Sequence, residues 1–184
     1  LKQVGVALST LTLLAFTPVA AQESRTVDTK FGAVTINGEP QRVVTLYEGA
    51  LDASYAVDIE PLGAIITRGG THVASYLQDR AKDITIVGTP QENNLEAIIA
   101  LQPDLILAPN TLPEQQYQLL SAVAPTVTSP VRSVDENAWR QEARLFALAL
   151  GKSEEMEQQI TALEQRIAEV KAKVENTVPA DQRT

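Results

Sequence analysis

The pattern of apolar residues between positions 84 and 109 predicts one complete strand–helix–strand unit. Residues 84–87 are a β-branched run that stops at a glycine and a proline. Asn94 is a favourable N-cap, and the apolar residues after it recur at the i, i+3, i+4 spacing of a buried helix face: Leu95, Ile98 and Ile99. The next apolar run, Leu105–Ala108, does not alternate, which is typical of a strand covered on both faces in a parallel sheet.

The same alternation of strands and helices extends on both sides of this unit. It predicts, in chain order, a hairpin over 27–36, strands over 43–46 and 62–66 with a helix over 50–57 between them, a short helix over 73–80, a helix from Pro113 to 123, a strand over 126–128, and a helix that Asp135 caps and Gly151 ends. Asp58 is expected to close the helix over 50–57, because aspartate tolerates the left-handed conformation. Strands that alternate with helices imply an α/β fold with a doubly wound parallel sheet.

The last predicted helix, over 151–176, differs from the others. Ser153 is expected to cap it, and at 1.5 Å per residue it is roughly 33 Å long. Its apolar residues step by 4, 3, 4, 3 and 4 along a single seam: Met156, Ile160, Leu163, Ile167, Val170 and Val174. So regular a seam can form a coiled coil, and the pattern alone neither establishes nor excludes that interpretation.

Residues 1–21 have the pattern of a secretory signal peptide. Lys2 precedes an apolar run over 4–16, and small residues end at Ala21, where cleavage is expected. A membrane anchor is the alternative, but the run is shorter than the ~20 residues that a span needs. The 184 residues contain no cysteine, which excludes disulfides, thiolate metal sites and a lipid-modified cysteine. These features predict a protein of a Gram-negative periplasm.

The acidic composition argues against several functions. The net charge is −8, and removal of residues 1–21 takes away only Lys2, which makes the charge one unit more negative. Such a chain repels nucleic acid and anionic membranes, although basic residues in a cleft still permit an anionic ligand. We expect no nucleic-acid partner. The sequence contains no G-x-S-x-G, Walker, G-x-G-x-x-G or H-E-x-x-H motif, so we expect no enzymatic activity.

Three segments resemble a known family. VGTPQENNLEAIIALQPDLILAP, RVVTLYEGALDASYAVDIEPLGAI at 42–65 and APTV at 124–127 are similar to periplasmic substrate-binding proteins that feed ABC importers of iron–siderophores and cobalamin. The resemblance covers roughly residues 25–175. It implies a non-catalytic protein that holds its ligand between two lobes and then docks onto a membrane permease.

The resemblance also implies a domain organisation. Residues 22–150 would form the first α/β lobe, 151–176 the helix that joins the two lobes, and 177–184 the truncated start of the second lobe. The chain is therefore expected to be an amino-terminal fragment of a monomeric binding protein. A coiled-coil interaction protein, resting on the last helix alone, is the alternative.

In an open parallel sheet, ligands bind beyond the carboxyl ends of the strands. The candidate ligand-binding residues follow those ends: Tyr47, Glu48, Arg68, Gly69, His72, Gln91 and Asn110. Arg68 can take a pair of carboxylate or catecholate oxygens, and Gly69 lets backbone approach a ligand. The alternatives are a solvated Arg68, a core-capping Tyr47 and a surface His72. Trp139 either packs or lines the rim of the cleft.

Glu96 has a separate interpretation. In relatives that bind cobalamin or siderophores, the matching acidic residue docks against arginines of the permease, so the resemblance implies a docking role here. The alternative is a carboxylate that stabilises the first turn of a helix by about 1 kcal/mol or less.

The single histidine limits the ligand. Relatives that bind free zinc or manganese use several histidine and carboxylate ligands, and one histidine without any cysteine cannot build such a site from this lobe. A ferric–siderophore complex needs only shape and a few polar contacts, because the chelator already coordinates the iron. Haem is an alternative, since Tyr47 or His72 can ligate iron, and so is cobalamin. No intrinsic cofactor or resident metal is expected.

Overall fold

In a computed structural model, the described residues (24–131, 137–179 and 182) alternate between strands and helices. The strands are β1 (Ser24–Thr29), β2 (Gly32–Asn37), β3 (Val43–Thr45), β4 (Gly63–Ala64), β5 (Thr85–Ile86), β6 (Leu105–Ala108) and β7 (Thr126–Thr128). The helices are α1 (Glu48–Ala56), α2 (Leu95–Ala100), α3 (Glu114–Ser121), α4 (Ala138–Leu150) and α5 (Ser153–Thr177). The predicted α/β fold is confirmed. The expected signal peptide, 1–21, and the expected cap at Asp135 lie outside the described residues.

Five parallel strands form the central sheet, in the order β5-β4-β3-β6-β7. The chain runs from β3 outwards through β4 to β5, and then crosses back to β6 on the other side of β3. The winding direction therefore reverses between β3 and β6, which makes this gap the topological switch point of the sheet. The predicted doubly wound parallel sheet is confirmed.

Both faces of the sheet are covered by helices. In β6, Leu105 and Leu107 pack with residues of α1, α4 and α5, whereas Ile106 and Ala108 pack with residues of α2 and α3. All four residues of β6 are fully buried. This burial is the reason that the strand is apolar without alternation.

Helix ends follow the predicted chemistry at several positions. Asn94 Oδ1 accepts a hydrogen bond of 3.0 Å from the backbone N–H of Ala97, as an N-cap does. Asp58 adopts a φ of 57°, and Gly151 ends α4 with a φ of 76°. The local sequence therefore sets where these helices begin and end.

Three local predictions are wrong. Ile99 is 49% exposed, because α2 buries only one narrow stripe around Ile98. The helix predicted over 73–80 is a single 3₁₀ turn, Ser75–Leu77. Ser153 is the first residue of α5 rather than its cap; Lys152 precedes the helix, and α5 has no side-chain cap.

Helix α5 packs against the rest of the molecule through its first half only. Met156 and Ile160 are buried in the core with α1 and α4. Arg144 pairs with Glu157 at 2.6 Å and Arg140 with Glu164 at 2.7 Å, so α4 and α5 run antiparallel. The apolar residues of the seam beyond Ile160 are exposed: Leu163, Ile167, Val170 and Val174. None of the helices in the described ranges is both long and apolar enough to cross a membrane.

Phe146 in α4 is fully buried between the sheet and its helices. We expect Phe146→Ala to lower the free energy of unfolding by about 3–5 kcal/mol, because it leaves a cavity in the core. Urea unfolding measures this difference. Leu148→Ala on the same helix is the control, since Leu148 is 38% exposed and its loss is expected to cost under about 1 kcal/mol. Equal losses for the two variants would contradict this packing.

Candidate functional site

The loops that follow the parallel strands lie at one edge of the sheet. Along this edge, the strand order places the loops of Gln91, Arg68, Tyr47 and Asn110 side by side, after β5, β4, β3 and β6 respectively. Tyr47 and Asn110 flank the switch point between β3 and β6, where ligands bind in open α/β sheets. The topology thus brings the sequence-predicted residues to one edge, but their side chains have different surroundings.

Tyr47 is partly buried and connects two helices. Its hydroxyl donates a hydrogen bond of 3.1 Å to Glu142 Oε2 of α4, and its ring centroid lies 6.3 Å from that of Phe146. Burial, and then the carboxylate of Glu142, raise the pKa of Tyr47 to about 12. Gly49 leaves room for the ring, because a Cβ there would lie 2.7 Å from Cε1 of Tyr47.

A groove of about 400 Å³ opens between α1, α4 and α5. Tyr47 and Glu142 supply polar atoms, and the remaining lining is mainly apolar, including Trp139, Met156 and Leu163. Trp139 is 39% exposed, and the guanidinium of Arg140 lies 4.4 Å from its ring centroid. Trp139 therefore lies at the rim of a groove rather than in the core.

Glu48, the first residue of α1, contacts the loop that follows β4. Its Oε1 accepts hydrogen bonds from the hydroxyl of Thr67 and, at 2.8 Å, from the backbone N–H of Arg68. The Thr67 hydrogen bond lowers the pKa of Glu48; the Arg68 N–H and the Arg68 charge act in the same direction, and burial opposes them. This oxygen is therefore occupied by the protein's own donors.

Arg68 and Gly69 form the exposed tip of that loop. The side chain of Arg68 reaches solvent, and Gly69 has a φ of 77°, which a larger residue rarely adopts. His72 closes the loop, because its carbonyl accepts a hydrogen bond of 2.9 Å from the N–H of Thr67. Its Nδ1 is buried and has no hydrogen-bond partner among the described residues.

Asn110, after β6, uses its amide within the protein. Its Nδ2 donates a hydrogen bond of 2.5 Å to the carbonyl of Val131, and its own carbonyl accepts one of 2.7 Å from Nζ of Lys30. Lys30 also donates to the carbonyl of Leu112, at 3.1 Å. An ammonium group from the hairpin tip thus lies beside the switch point. Sequence reasoning missed Lys30, since the only signal was its place before Gly32 in a predicted hairpin.

Gln91 and Glu96 lie farther along the same edge, around the start of α2. Gln91 is exposed and donates its backbone N–H to Oγ1 of Thr89, at 3.3 Å. Glu96 is exposed in the first turn of α2 and helps to line a shallow pocket with the preceding loop, Gly88 to Asn94.

The part of the chain that the structure describes contains no group of three or more histidine, cysteine, aspartate or glutamate side chains able to hold a metal ion. The arrangement at the edge can instead bind a polar ligand through the guanidinium of Arg68, the ammonium of Lys30 and exposed backbone.

Comparison with known proteins identifies the family. The family of periplasmic binding proteins matches residues 43–183. The chain belongs to this family. It is 33% identical over 157 residues to the probable siderophore-binding lipoprotein YfiY of Bacillus subtilis, covering 85% of this chain and 47% of that protein. It is 31% identical over 144 residues to the Fe(3+) dicitrate-binding periplasmic protein FecB of Escherichia coli, covering 78% and 48%.

A solved structure shares the fold of this periplasmic binding protein. Staphylococcus aureus SirA, complexed with staphyloferrin B, matches with a TM-score of 0.72 and 33% identity, covering 84% of this chain and 53% of SirA. The chain therefore spans about half the length of the relatives that it matches. These relatives are binding proteins, which favours the resemblance over a coiled-coil adaptor.

The contacts of Glu48 generate a pH prediction. Its folded pKa lies below the unfolded value, so its contribution to stability is complete above the ordinary carboxylate range and is lost as the pH falls through the lowered folded pKa. We therefore expect the melting temperature of Glu48→Gln to fall less steeply with acidification than that of the native chain. Glu114→Gln, the matching first residue of α3, is the control. Parallel acid profiles for the native chain and Glu48→Gln would contradict the prediction.

Proposed function

We propose that this chain provides the first lobe of the solute-binding component of an ABC importer, which binds a ferric–siderophore complex in the periplasm and delivers it to a membrane permease. The observation that carries the proposal is the edge of the sheet: in a member of the periplasmic binding protein family, loops from neighbouring parallel strands meet on either side of one switch point. The names of the relatives, which include siderophore-binding and ferric dicitrate-binding proteins, support the ligand class.

The chemistry of the edge fits an iron that is already chelated. The chelator fills the coordination sphere of the metal, so the protein needs donors and shape rather than metal ligands. Arg68 offers a planar fork suited to carboxylate or catecholate oxygens, and Lys30 adds a second positive charge across the switch point. These two cations favour an anionic chelate, although the whole chain is acidic.

We propose the domain division that follows from this function: a signal peptide over 1–21, a lobe over 22–150, a connecting helix over 151–176 and the start of a second lobe over 177–184. The exposed apolar stripe on the second half of α5 supports a partner lobe there. One lobe buries a single face of a ligand, so it should bind more weakly than the two together. We also propose a monomer without a nucleic-acid partner or enzymatic activity.

Fluorescence titration tests the ligand class, using the protein produced from its complete gene. Trp139 and Tyr47 line the same groove. We expect saturable quenching by ferric citrate or by a ferric tricatecholate, and weaker quenching by a ferric hydroxamate, because Arg68 and Lys30 favour anionic ligands.

The controls separate binding from absorption of light by the ligand. Iron-free chelators should not quench, and Trp139→Phe removes the signal of the one tryptophan in these 184 residues. Calorimetry then measures affinity without a fluorophore. Binding of haem or cobalamin alone, or of none of these ligands, would contradict the siderophore assignment.

We further propose that Glu96 contacts the permease. Asn94 already caps α2, and the Glu96 carboxylate accepts no hydrogen bond from another described residue. The carboxylate is exposed at the same edge as the ligand site, where a partner can reach both. An arginine of a permease would find it free to form a bidentate pair.

Reversing this charge tests the docking role. We expect Glu96→Arg in the complete protein to leave ligand affinity unchanged and to abolish ligand uptake by cells, because it replaces attraction with repulsion. Transport of radioactive iron measures uptake. Glu154→Arg is the control. Glu154 is an exposed residue in the first turn of α5, so this variant loses the same favourable interaction with a helix dipole without changing the proposed docking residue. Normal uptake by the Glu96 variant, or equal loss in both variants, would refute the specific role.

A further inference from the structure

The loop after β4 is held to α1 through Glu48. Both hydrogen bonds between α1 and residues 67–72 end on its Oε1, one from the Thr67 hydroxyl and one, of 2.8 Å, from the N–H of Arg68. Hydrogen bonds to an ionised acceptor are stronger than those between neutral groups. Glu48 therefore fixes the backbone of the residue that carries the candidate guanidinium.

The loop itself is closed by its own backbone. The N–H of Thr67 donates to the carbonyl of His72, and the N–H of Gly70 donates to the carbonyl of Thr67, each at 2.9 Å. A Cβ on Gly70 would lie 2.8 Å from Cγ2 of Thr67, so the turn has little internal space. A turn closed in this way is expected to move as one unit, and its hydrogen bonds to Glu48 hold the backbone of Arg68 against the start of α1.

We propose that Glu48 is a positioning residue: it sets the affinity for an anionic chelate by orienting Arg68, and it does not contact the ligand. This inference rests on the proposed function and revises the role first predicted for Glu48. An unshielded carboxylate at this edge would repel an anionic ligand. Here its oxygen accepts from two donors, and the positive charge of Arg68 is close enough to lower its pKa.

A double-mutant cycle separates this role from direct contact. Ferric citrate is titrated by calorimetry into the complete native protein, Glu48→Ala, Arg68→Ala and the double variant. We expect each single variant to weaken binding by about tenfold or more, as for loss of a charge-assisted contact. The double variant should bind no more weakly than Arg68→Ala, because Glu48 acts only through Arg68. Additive losses would overturn the proposal.

Two further variants test whether the hydrogen bonds to Glu48 are responsible for its effect on affinity. Glu48→Gln keeps an acceptor oxygen and is expected to bind more tightly than Glu48→Ala; equal affinities would contradict the proposal. Thr67→Val removes one donor and should weaken binding in the native background but not in Arg68→Ala. Both substitutions are nearly isosteric and are expected to preserve the fold. They can therefore still be compared with the native protein if Glu48→Ala fails to fold.

The controls distinguish this inference from the proposed function. Glu114→Ala, at the equivalent first position of α3, should leave affinity unchanged. Lys82→Ala removes one positive charge from an exposed position before β5 and should also have no effect, in contrast to Arg68→Ala. If the native protein binds no ferric chelate, the proposed function fails. If it binds and the cycle is additive, only the positioning role fails.

Discussion

The central position of β3 is the constraint on which the other features depend. Its three residues are fully buried, or nearly so, and pair in parallel with β4 on one side and β6 on the other. Right-handed crossovers then require the helix after β3, α1, and the helix after β6, α3, to cover opposite faces. The loops that follow β3 and β6 consequently diverge at the carboxyl ends of these strands and leave a crevice there. The binding edge is thus a consequence of strand order.

Charged side chains organise this crevice by bonding to backbone as well as by facing solvent. Glu48 accepts from the N–H of Arg68 on one side, and Lys30 donates to the carbonyls of Asn110 and Leu112 on the other. Short loops carry many polar backbone groups that must be satisfied. When a charged side chain satisfies them, it also fixes the loop, so loop geometry and local electrostatics are determined together.

The sequence predicts local features of this protein better than its side-chain partners. The cap at Asn94, the left-handed Asp58 and the buried run in β6 depend on nearby residues, and all three are present in the structure. The pairing of Tyr47 with Glu142 joins residues 95 positions apart, and Lys30 reaches a carbonyl 80 positions away. Periodicity carries no information about such contacts, because they depend on how whole elements pack.

The candidate site shows the same division. Parallel connectivity was enough to predict that the loops of Arg68, Tyr47 and Asn110 share an edge, and the topology brings them there. Connectivity could not show that Glu48 and Asn110 form hydrogen bonds within the protein. Residue type alone does not reveal which donors and acceptors are already occupied.

The attachment of α5 has a mechanical consequence. Two arginine–glutamate pairs, ending at Glu164, and the buried Met156 and Ile160 fasten its first half, while residues 165–177 are exposed to solvent. At ~1.5 Å per residue this free portion is about 20 Å long, so a tilt of about 5° at its root would displace the far end by nearly 2 Å. A segment joined to the far end of α5 would move with it. A small change in the packing of α4 would therefore produce a larger displacement at that end.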